Sequence, residues 1–475
     1  MKINKIVVSL CAAGVMASPL AYATNGMNLE GYGPVASAMG GASMAYDNGT
    51  AAVMNNPATL GLMSEGSRAD IALGILAPDI TSKYTGMPSA DSSATAFYMP
   101  AMGYAHKSGK MTYGVGVFSQ GGMGTEYGAN SFLAAGSGKE VRSEVGVGRF
   151  IVPLVYQVDE KITVGGSLDF VWAGMDLKMA MSGAQFGDMA FGTKTYGTAS
   201  GSMVNILGGA IGTNPGQLSS TGPINWARVD FSDNGDFTGQ AKGNGGAFKL
   251  GGTYKVSPQL TLGATYHSKT ALGDLTTSGA EMSMNVNVNG APGPFTVPVT
   301  GSISVKDFQW PQTFGFGAAY QASDKLLIVA DYKNIGWKDV MKDFKVTFTA
   351  NAVQTDANAL AFGLGGQVVD MTMIQNWEDQ NVFEIGGAYK MDDALTLRAG
   401  INVANNPVPD KYMNPLFPAI GQNHVSLGAG YVISSASSVD FSYVQMLTKT
   451  ATATGTPLSV DFGGYSTQIM YSHRY

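Results

Sequence analysis

The chain has 475 residues, of which 13% are Asp, Glu, Lys or Arg, and its formal net charge is -6. The charged share is about half of that in an ordinary soluble domain, so we expect little water-exposed surface. The negative net charge and the lack of a dense basic run argue against a nucleic-acid partner. No Pro-rich or charge-rich linker divides the chain, which favours one large unit.

The first 23 residues have the pattern of a secretory signal peptide. Lys2 and Lys5 precede an apolar stretch, and the small residues Ala21 and Ala23 predict cleavage after Ala23. The only cysteine, Cys11, lies in this segment, so we expect neither a disulfide nor a cysteine-bound metal in the mature chain. No later run approaches about 18 consecutive apolar residues, and therefore no transmembrane helix is predicted.

Residues 24–65 lack strand alternation and are rich in glycine and small apolar residues, a composition that is unusual for disorder. We predict that they fold as a hatch inside the lumen of a β-barrel formed by the rest of the chain, because a wide barrel without a plug leaves a water channel. Asn55, Asn56 and Pro57 form a predicted turn of this hatch, in which an Asn side chain bonds its own backbone. A disordered leader is the alternative.

Residues 66–475 alternate between apolar and polar side chains with period two, which is typical of strands with one apolar face. Six short polar turns join pairs of such runs, at 107–110, 158–161, 256–259, 322–325, 391–394 and 434–438. Short turns lie on the periplasmic side of outer-membrane barrels, so the turns predict an all-β fold, a fourteen-stranded antiparallel transmembrane β-barrel. Its expected location is the outer membrane of a Gram-negative bacterium.

Three long connections, about 174–246, 269–302 and 338–380, are predicted to be extracellular loops, and loops of this length are usually functional or disordered. In the first of them, Phe186, Ile206 and Leu207 belong to stretches that are too apolar for an ordinary exposed loop, which predicts a surface that captures hydrophobic ligands. Packing of these residues against each other is the alternative. The second connection has an alternation of its own, which indicates either an extracellular hairpin or a different strand register.

The third predicted strand, at 111–120, contains Gly114 and Gly116, and Gly121 and Gly122 follow just beyond it. Glycine inside a strand often marks a bulge or a close approach of another backbone. A bulge at these glycines would break the pairing to a neighbouring strand and open a window in the side of the barrel. The alternative is that the glycines make room for the hatch.

The fourth predicted strand, at 145–157, is apolar on both faces apart from one arginine. Arginine at the bilayer midplane costs about 2–4 kcal/mol, so Arg149 is predicted to face the lumen together with Val147 and Ile151. A cation among apolar side chains suits a ligand that has a carboxylate and an apolar tail. A structural ion pair with Asp169 on the next strand is the alternative.

Other inward cations compete with Arg149 for the ligand role. Strand parity also predicts that Lys249 and Arg398 face the lumen, together with Lys333 and Lys390. The weak calcium-loop pattern that begins at Asp230 has alanine at its twelfth position, where a bidentate Glu is required. No metal site and no cofactor are predicted.

Several motifs resemble the FadL family of outer-membrane transporters for long-chain fatty acids and other hydrophobic compounds. They are GYGPVASAMGGASMA at 31–45, NNPATL at 55–60, GVFSQGGMGTEY at 116–127, WPQTFGFGAAYQASDKLLIVADYKNIGW at 310–337 and NPLFPAIGQNHVSLGAGY at 414–431. The resemblance extends over nearly the whole chain. It implies a monomeric fourteen-stranded barrel with an N-terminal hatch, capture of ligand among outer loops, a lumenal pocket, and sideways exit beside a kinked third strand.

The predicted function is therefore outer-membrane transport of long-chain fatty acids or similar hydrophobic molecules, with lateral or hatch-gated release. The alternatives are a general diffusion porin and a surface adhesin or phage receptor. An enzyme is not expected, since the chain has no GxSxG elbow and its four histidines, at 106, 267, 424 and 473, are expected at the barrel rim. Besides the cargo, the expected partners are outer-membrane lipid, lipopolysaccharide and the barrel assembly machinery, which would recognise the strand that ends at Tyr475.

Overall fold

The computed structural model describes residues 24–212, 223–235, 239–289 and 291–475. The predicted signal peptide, 1–23, and its cleavage site lie outside the described residues. Within the described ranges, no helix is both long enough and apolar enough to cross a membrane.

The described part of the chain consists mainly of antiparallel strands. In chain order the strands are β1 (Thr24–Asn25), β2 (Asn28–Leu29), β3 (Gly66–Tyr84), β4 (Ala90–Asp91), β5 (Phe97–Ser108), β6 (Met111–Tyr127), β7 (Val141–Gln157), β8 (Ile162–Ser182), β9 (Gly197–Ser200), β10 (Ile224–Phe231), β11 (Ala241–Lys255), β12 (Leu260–His267), β13 (Ala271–Leu272), β14 (Leu275–Val286), β15 (Phe295–Lys306), β16 (Thr313–Gln321), β17 (Leu326–Ile335), β18 (Asp343–Ala350), β19 (Val368–Ile374), β20 (Gln380–Lys390), β21 (Leu395–Ala404), β22 (Asn423–Val432), β23 (Ser437–Thr452) and β24 (Leu458–Arg474). The α-helices are α1 (Pro34–Ser37), α2 (Gly183–Phe191), α3 (Ser202–Gly212), α4 (Trp337–Val340) and α5 (Ala357–Ala361).

A closed circuit of long strands forms the wall of the barrel. Each wall strand is antiparallel to the next in the order β3, β5, β6, β7, β8, β11, β12, β16, β17, β20, β21, β22, β23 and β24. The last strand, β24, pairs with β3 and so closes the circuit. Closure removes the free edges that an open sheet would expose to lipid.

The predicted total of fourteen strands is wrong for the sheet as a whole. Among the described residues the antiparallel sheet has 24 strands. Counting the short polar turns finds only the strands that those turns join. The outer connections and the N-terminal residues contribute further strands. The strands outside the wall circuit are β1, β2, β4, β9, β10, β13, β14, β15, β18 and β19.

The long connections extend the sheet beyond one end of the barrel wall. Residues 177–182 of β8 pair with β10, and the sheet continues through β14, β15, β18, β19 and β9. Strands β14 and β15 form a hairpin. A hairpin was one of the two possibilities that the sequence indicated for 269–302, the other being a different strand register. Helix α2 packs on β10, and α3 packs on β19. The described residues of the predicted loops thus form a cap with an apolar core.

Side-chain alternation explains why the wall is stable in a membrane. On β7, Phe150, Val152 and Leu154 are 41%, 48% and 57% exposed on the outer face, where lipid would cover them. Arg149 and Ile151, on the opposite face, are 2% and 0% exposed. This confirms the predicted inward orientation of Arg149, because the pleat sends successive side chains to opposite faces.

Residues 24–63, which we call the N-terminal segment, are bonded to the inner face of the wall. Asp331 of β17 accepts hydrogen bonds from the backbone N–H groups of Ser43 (2.5 Å) and Met44 (3.0 Å). Ser426 of β22 accepts one from Gly40 N (2.9 Å), and Gln468 of β24 donates one to a serine of α1. Nearly all residues of the segment are buried. That the segment is a movable hatch stays a prediction.

Candidate functional site

The wall has a break in its hydrogen-bond ladder between β5 and β6. The two strands pair only from Ser108 and Met111 up to Ala101 and Phe118. Beyond that point residues 97–100 of β5 still pair with β3, and residues 119–127 of β6 pair with β7. Residues 97–100 and 119–124 therefore border a window in the wall, and we call this opening the side window.

The side window exists because β6 turns away from β5 and pairs with the N-terminal segment. The register with β7 shifts between Ser119 and Gly121, and Gly122 N donates to Met27 O (3.1 Å). Gly121 has φ +154°, and a Cβ on it would lie 2.2 Å from Met27 O. Only glycine permits this approach, because a side chain would collide with backbone.

The predicted position of the irregularity was different. Gly114 and Gly116 pair in regular register with Ala105 and Gly103 of β5. Their Cβ positions are crowded by neighbouring strand and side-chain atoms, so these two glycines serve close packing. The interruption lies further along the same strand, at Gly121.

A cavity of about 280 Å³ lies in the side window. Its lining includes Met123 and Val145 from the inner face of the wall and Tyr98 and Trp172 from the outer face. The inner pair is at most 9% exposed, whereas the outer pair is 48% and 39% exposed. The cavity is therefore bordered by residues from both faces of the wall.

A smaller cavity, of about 20 Å³, lies between the side window and the cap. Phe344 and Phe417, whose ring centroids are 5.8 Å apart, line it together with Met27 and Val145. Val145 also lines the side window. Apolar side chains thus connect the underside of the cap with the opening in the wall.

The residues predicted to capture ligand in the outer loop are not exposed. Phe186 of α2 is 0% exposed and Leu207 of α3 is 2% exposed, and Ile206 packs against the same core. The arrangement matches the alternative, in which these residues hold the connection together. Their participation in ligand capture stays a prediction.

The predicted lumenal cations all contact acids. Arg149 Nη1 lies 2.8 Å from Asp169 Oδ2, and Lys249 Nζ bonds the same oxygen. The three side chains are at most 2% exposed. Arg398 pairs with Asp440 at 2.8 Å. The contact between Arg149 and Asp169 matches the alternative that the sequence offered, a structural ion pair. A role of Arg149 in ligand binding stays a prediction.

The predicted turn of the hatch contacts the wall on β11 and β12. Asn56 accepts a hydrogen bond from Ala58 N (3.1 Å), as expected for an Asn that bonds its own backbone, and its amide donates to Gly252 O (3.2 Å). Pro57 begins the short 3-10 helix Pro57–Leu62. Asn55 O is hydrogen-bonded to His267 Nε2 at 2.7 Å.

Two histidines contradict the expected rim position. His267 contacts the N-terminal segment, and His424 is buried with its Nδ1 3.2 Å from Asn402 Oδ1. Period two assigns a face to a residue but not its depth along the barrel, which is why sequence reasoning missed both. Within the described ranges, no group of three or more His, Cys, Asp or Glu residues is placed to hold a metal.

Comparisons with known proteins agree with this architecture. Residues 10–468 match the family described as outer membrane protein transport protein (OMPP1/FadL/TodX). The toluene transporter TodX of Pseudomonas putida is 28% identical, with 94% of this chain and 99% of that chain covered and a TM-score of 0.78. The Ralstonia pickettii toluene transporter TbuX is 29% identical over 94% and 99% of the two chains, with a TM-score of 0.73.

Curated relatives match over shorter stretches. Outer membrane protein P1 of Haemophilus influenzae is 24% identical over 203 residues, which are 42% of this chain and 38% of that protein. An uncharacterized protein of Chlorobium limicola is 59% identical over 69 residues, which are 14% of this chain and 34% of that protein. The chain thus spans little more than a third of the length of these two relatives.

Proposed function

Because the chain belongs to the OMPP1/FadL/TodX family of outer-membrane transport proteins, we propose that it carries small neutral hydrophobic molecules inward and releases them sideways through the side window. The family is made up of transport channels, and the protein is located in the outer membrane. The observation that carries the proposal is the cavity of about 280 Å³ with lining residues from both faces of the wall. A molecule in such a cavity can enter lipid without crossing the polar lumen.

Cavity size and lining support an aromatic or similarly compact cargo. An apolar cavity of about 150 Å³ in another protein is known to bind benzene. The side window is larger and is lined by Met123, Val145 and Trp172, which offer apolar and aromatic contact. TodX and TbuX are toluene transporters, which makes monoaromatic hydrocarbons the first cargo to test.

Long-chain fatty acids are a second candidate cargo. Arg149 and Lys249 share the single carboxylate of Asp169, so the cluster retains one positive charge that favours an anionic ligand. Against this, both cations are already bonded to Asp169 and are buried. The carboxylate of a fatty acid would have to displace Asp169 or pass the side chains that bury the cluster. We therefore rank neutral molecules above fatty acids.

We further propose that the N-terminal segment closes the lumen to water-soluble solutes. Its hydrogen bonds to Asp331, Ser426 and Gln468 support this proposal, because they tie the segment to three wall strands. A plugged lumen and a side exit together separate hydrophobic transport from general diffusion. This distinguishes the proposed transporter from a porin.

Substitution of Gly146 by phenylalanine tests the lateral route. Gly146 lines the side window, and a Cβ on it would meet no atom within 4 Å, so the new ring can fill the opening without displacing the wall. We expect uptake of radiolabelled toluene by cells that express the variant to fall to the level of cells without the protein. Heat-modifiable migration in gels should remain that of the folded barrel.

Gly246→Phe is the matched control. Gly246 lies on β11 away from the side window, and a Cβ on it would meet only Asp169 O, at 3.7 Å. We expect normal toluene uptake by this variant. Unimpaired uptake by Gly146→Phe, or equal losses in both variants, would argue against release through the side window.

A further inference from the structure

A row of three glycines crosses the outer face of the wall within the side window. Gly122 of β6 pairs with Gly146 of β7, and Gly146 pairs with Gly174 of β8. Directly paired residues share a face of the sheet, and Gly146 is on the same face of β7 as the exposed Phe150. All three glycines line the cavity of about 280 Å³. We call this row the glycine floor, because no side chain rises from it.

An aromatic ring borders the glycine floor on the side toward the short turns. A Cβ on Gly148 would lie 2.3 Å from the six-membered ring of Trp172, so this ring covers Gly148. A Cβ on Gly146 would meet no atom within 4 Å, so the space above the middle of the floor is open. Trp172 itself lines the cavity. The floor therefore offers a flat aromatic molecule room beside an indole ring.

Charged side chains border the glycine floor on its opposite side. Glu144 lies two residues from Gly146 on the same face of β7 and lines the cavity. Arg142 Nη2 lies 2.5 Å from Glu144 Oε2, and Arg142 Nη1 lies 2.9 Å from Glu126 Oε2. The guanidinium is thus shared by two carboxylates. Among the described residues that line the cavity, Glu144 is the one charged side chain.

The neighbours of Glu144 in its own row carry no positive charge. Glu144 pairs with Gly124 of β6 and with Asp176 of β8. The cation nearest in register, Lys178, pairs with Arg142 one row further from the glycine floor. A molecule on the floor therefore meets a carboxylate before it meets either cation.

We propose that the glycine floor selects hydrophobic cargo whose polar end is a hydroxyl or ammonium group and rejects cargo that ends in a carboxylate. Successive residues on one face of a strand are about 7 Å apart, so a ring over Gly146 places a para substituent beside Glu144. A hydroxyl or ammonium group donates a hydrogen bond to the glutamate, whereas a carboxylate is repelled by it. The inference rests on the proposed function and names the class of molecule that the side window releases.

Apolar surroundings alone would give a different selectivity. Transfer of either an ammonium or a carboxylate from water into an apolar cavity is costly, so an apolar lining excludes both charges. A lining that contains one carboxylate separates the two charges by sign. Comparison of a cation with an anion of the same shape therefore isolates the contribution of Glu144.

Photolabelling of the full-length barrel in phosphatidylcholine vesicles tests the selectivity. The three probes are phenyl(trifluoromethyl)diazirines that carry a para hydroxymethyl, aminomethyl or carboxylate group. Labelling of the β7 and β8 peptides is measured by mass spectrometry relative to that of the peptide around Phe316 of β16, which is exposed on the outer face outside the cavity. We expect the alcohol and the ammonium to label β7 and β8 at least about tenfold more than the carboxylate does.

Glu144→Gln removes the charge but keeps the shape of the side chain. We expect the ratio of ammonium to carboxylate labelling to fall about tenfold in this variant, while the alcohol still labels β7 and β8. Glu281→Gln is the matched control, because Glu281 pairs with Lys139 outside the cavity, and its ratio should equal that of the wild type. Heat-modifiable migration verifies that each variant is folded.

The possible outcomes separate the selectivity of the glycine floor from the release route. Equal labelling by the ammonium and the carboxylate in the wild type, or an unchanged ratio in Glu144→Gln, would overturn the selectivity and leave the route intact. Failure of all three probes to label the β7 and β8 peptides would contradict the route through the side window and the selectivity with it.

Discussion

Replacement of Asp169 by asparagine is expected to lower the free energy of unfolding by about 3–5 kcal/mol, because it leaves two buried cations without a counter-charge. Asp169 is bonded to both Arg149 and Lys249, and the three side chains are at most 2% exposed. Asparagine keeps the shape of the side chain, so the loss isolates the charge. Urea titration of the barrel in lipid vesicles, followed by heat-modifiable migration, measures the change.

A rim ion pair provides the control for this prediction. Asp461 pairs with Lys83, whose side chain is 51% exposed, so Asp461→Asn should change the unfolding free energy by less than about 1 kcal/mol. Removing one of the two buried cations as well, in Asp169→Asn with Lys249→Met, should recover part of the stability. Similar values for Asp169→Asn and Asp461→Asn would mean that water reaches the buried cluster.

Replacement of Asp331 by alanine is expected to make liposomes that contain the barrel swell in sugar solution. Asp331 accepts hydrogen bonds from the backbone N–H groups of Ser43 and Met44 in the N-terminal segment. Hydrogen bonds to a charged group contribute about 1.5–3 kcal/mol each, so their loss should release the segment from β17. The wild-type protein should give no swelling with the same sugars.

Asp440→Ala is the matched control for the release of the segment. Asp440, like Asp331, is a lumenal carboxylate. Its partner, Arg398, belongs to the wall and not to the N-terminal segment. We expect no swelling with this variant. Swelling with the wild-type protein would instead favour the porin alternative, and no swelling with Asp331→Ala would show that other contacts suffice to hold the N-terminal segment.

Some of the candidate site could be predicted from local pattern. The lumenal position of Arg149 followed from parity and from the cost of a cation in lipid, and its partner Asp169 was recognised as the alternative to a ligand. The burial of Phe186 and Leu207 was predicted from the sequence only as an alternative, because their burial depends on a cap sheet built from three distant connections. The burial of His424 was missed for a different reason, since the alternation of a strand assigns a face to a residue but not its depth along the barrel.

An antiparallel barrel with an apolar outer face could be inferred from the sequence alone, since period-two alternation is a local property that needs no partner. The position of the opening in the wall depends on tertiary contacts. The alternation of side chains in residues 119–124 would be the same whether or not β5 paired with them. The opening arises because Gly122 N donates a hydrogen bond to Met27 O in the N-terminal segment, which is distant in sequence. The number of strands was decided in the same way, because the cap strands form only where non-local partners complete their ladders.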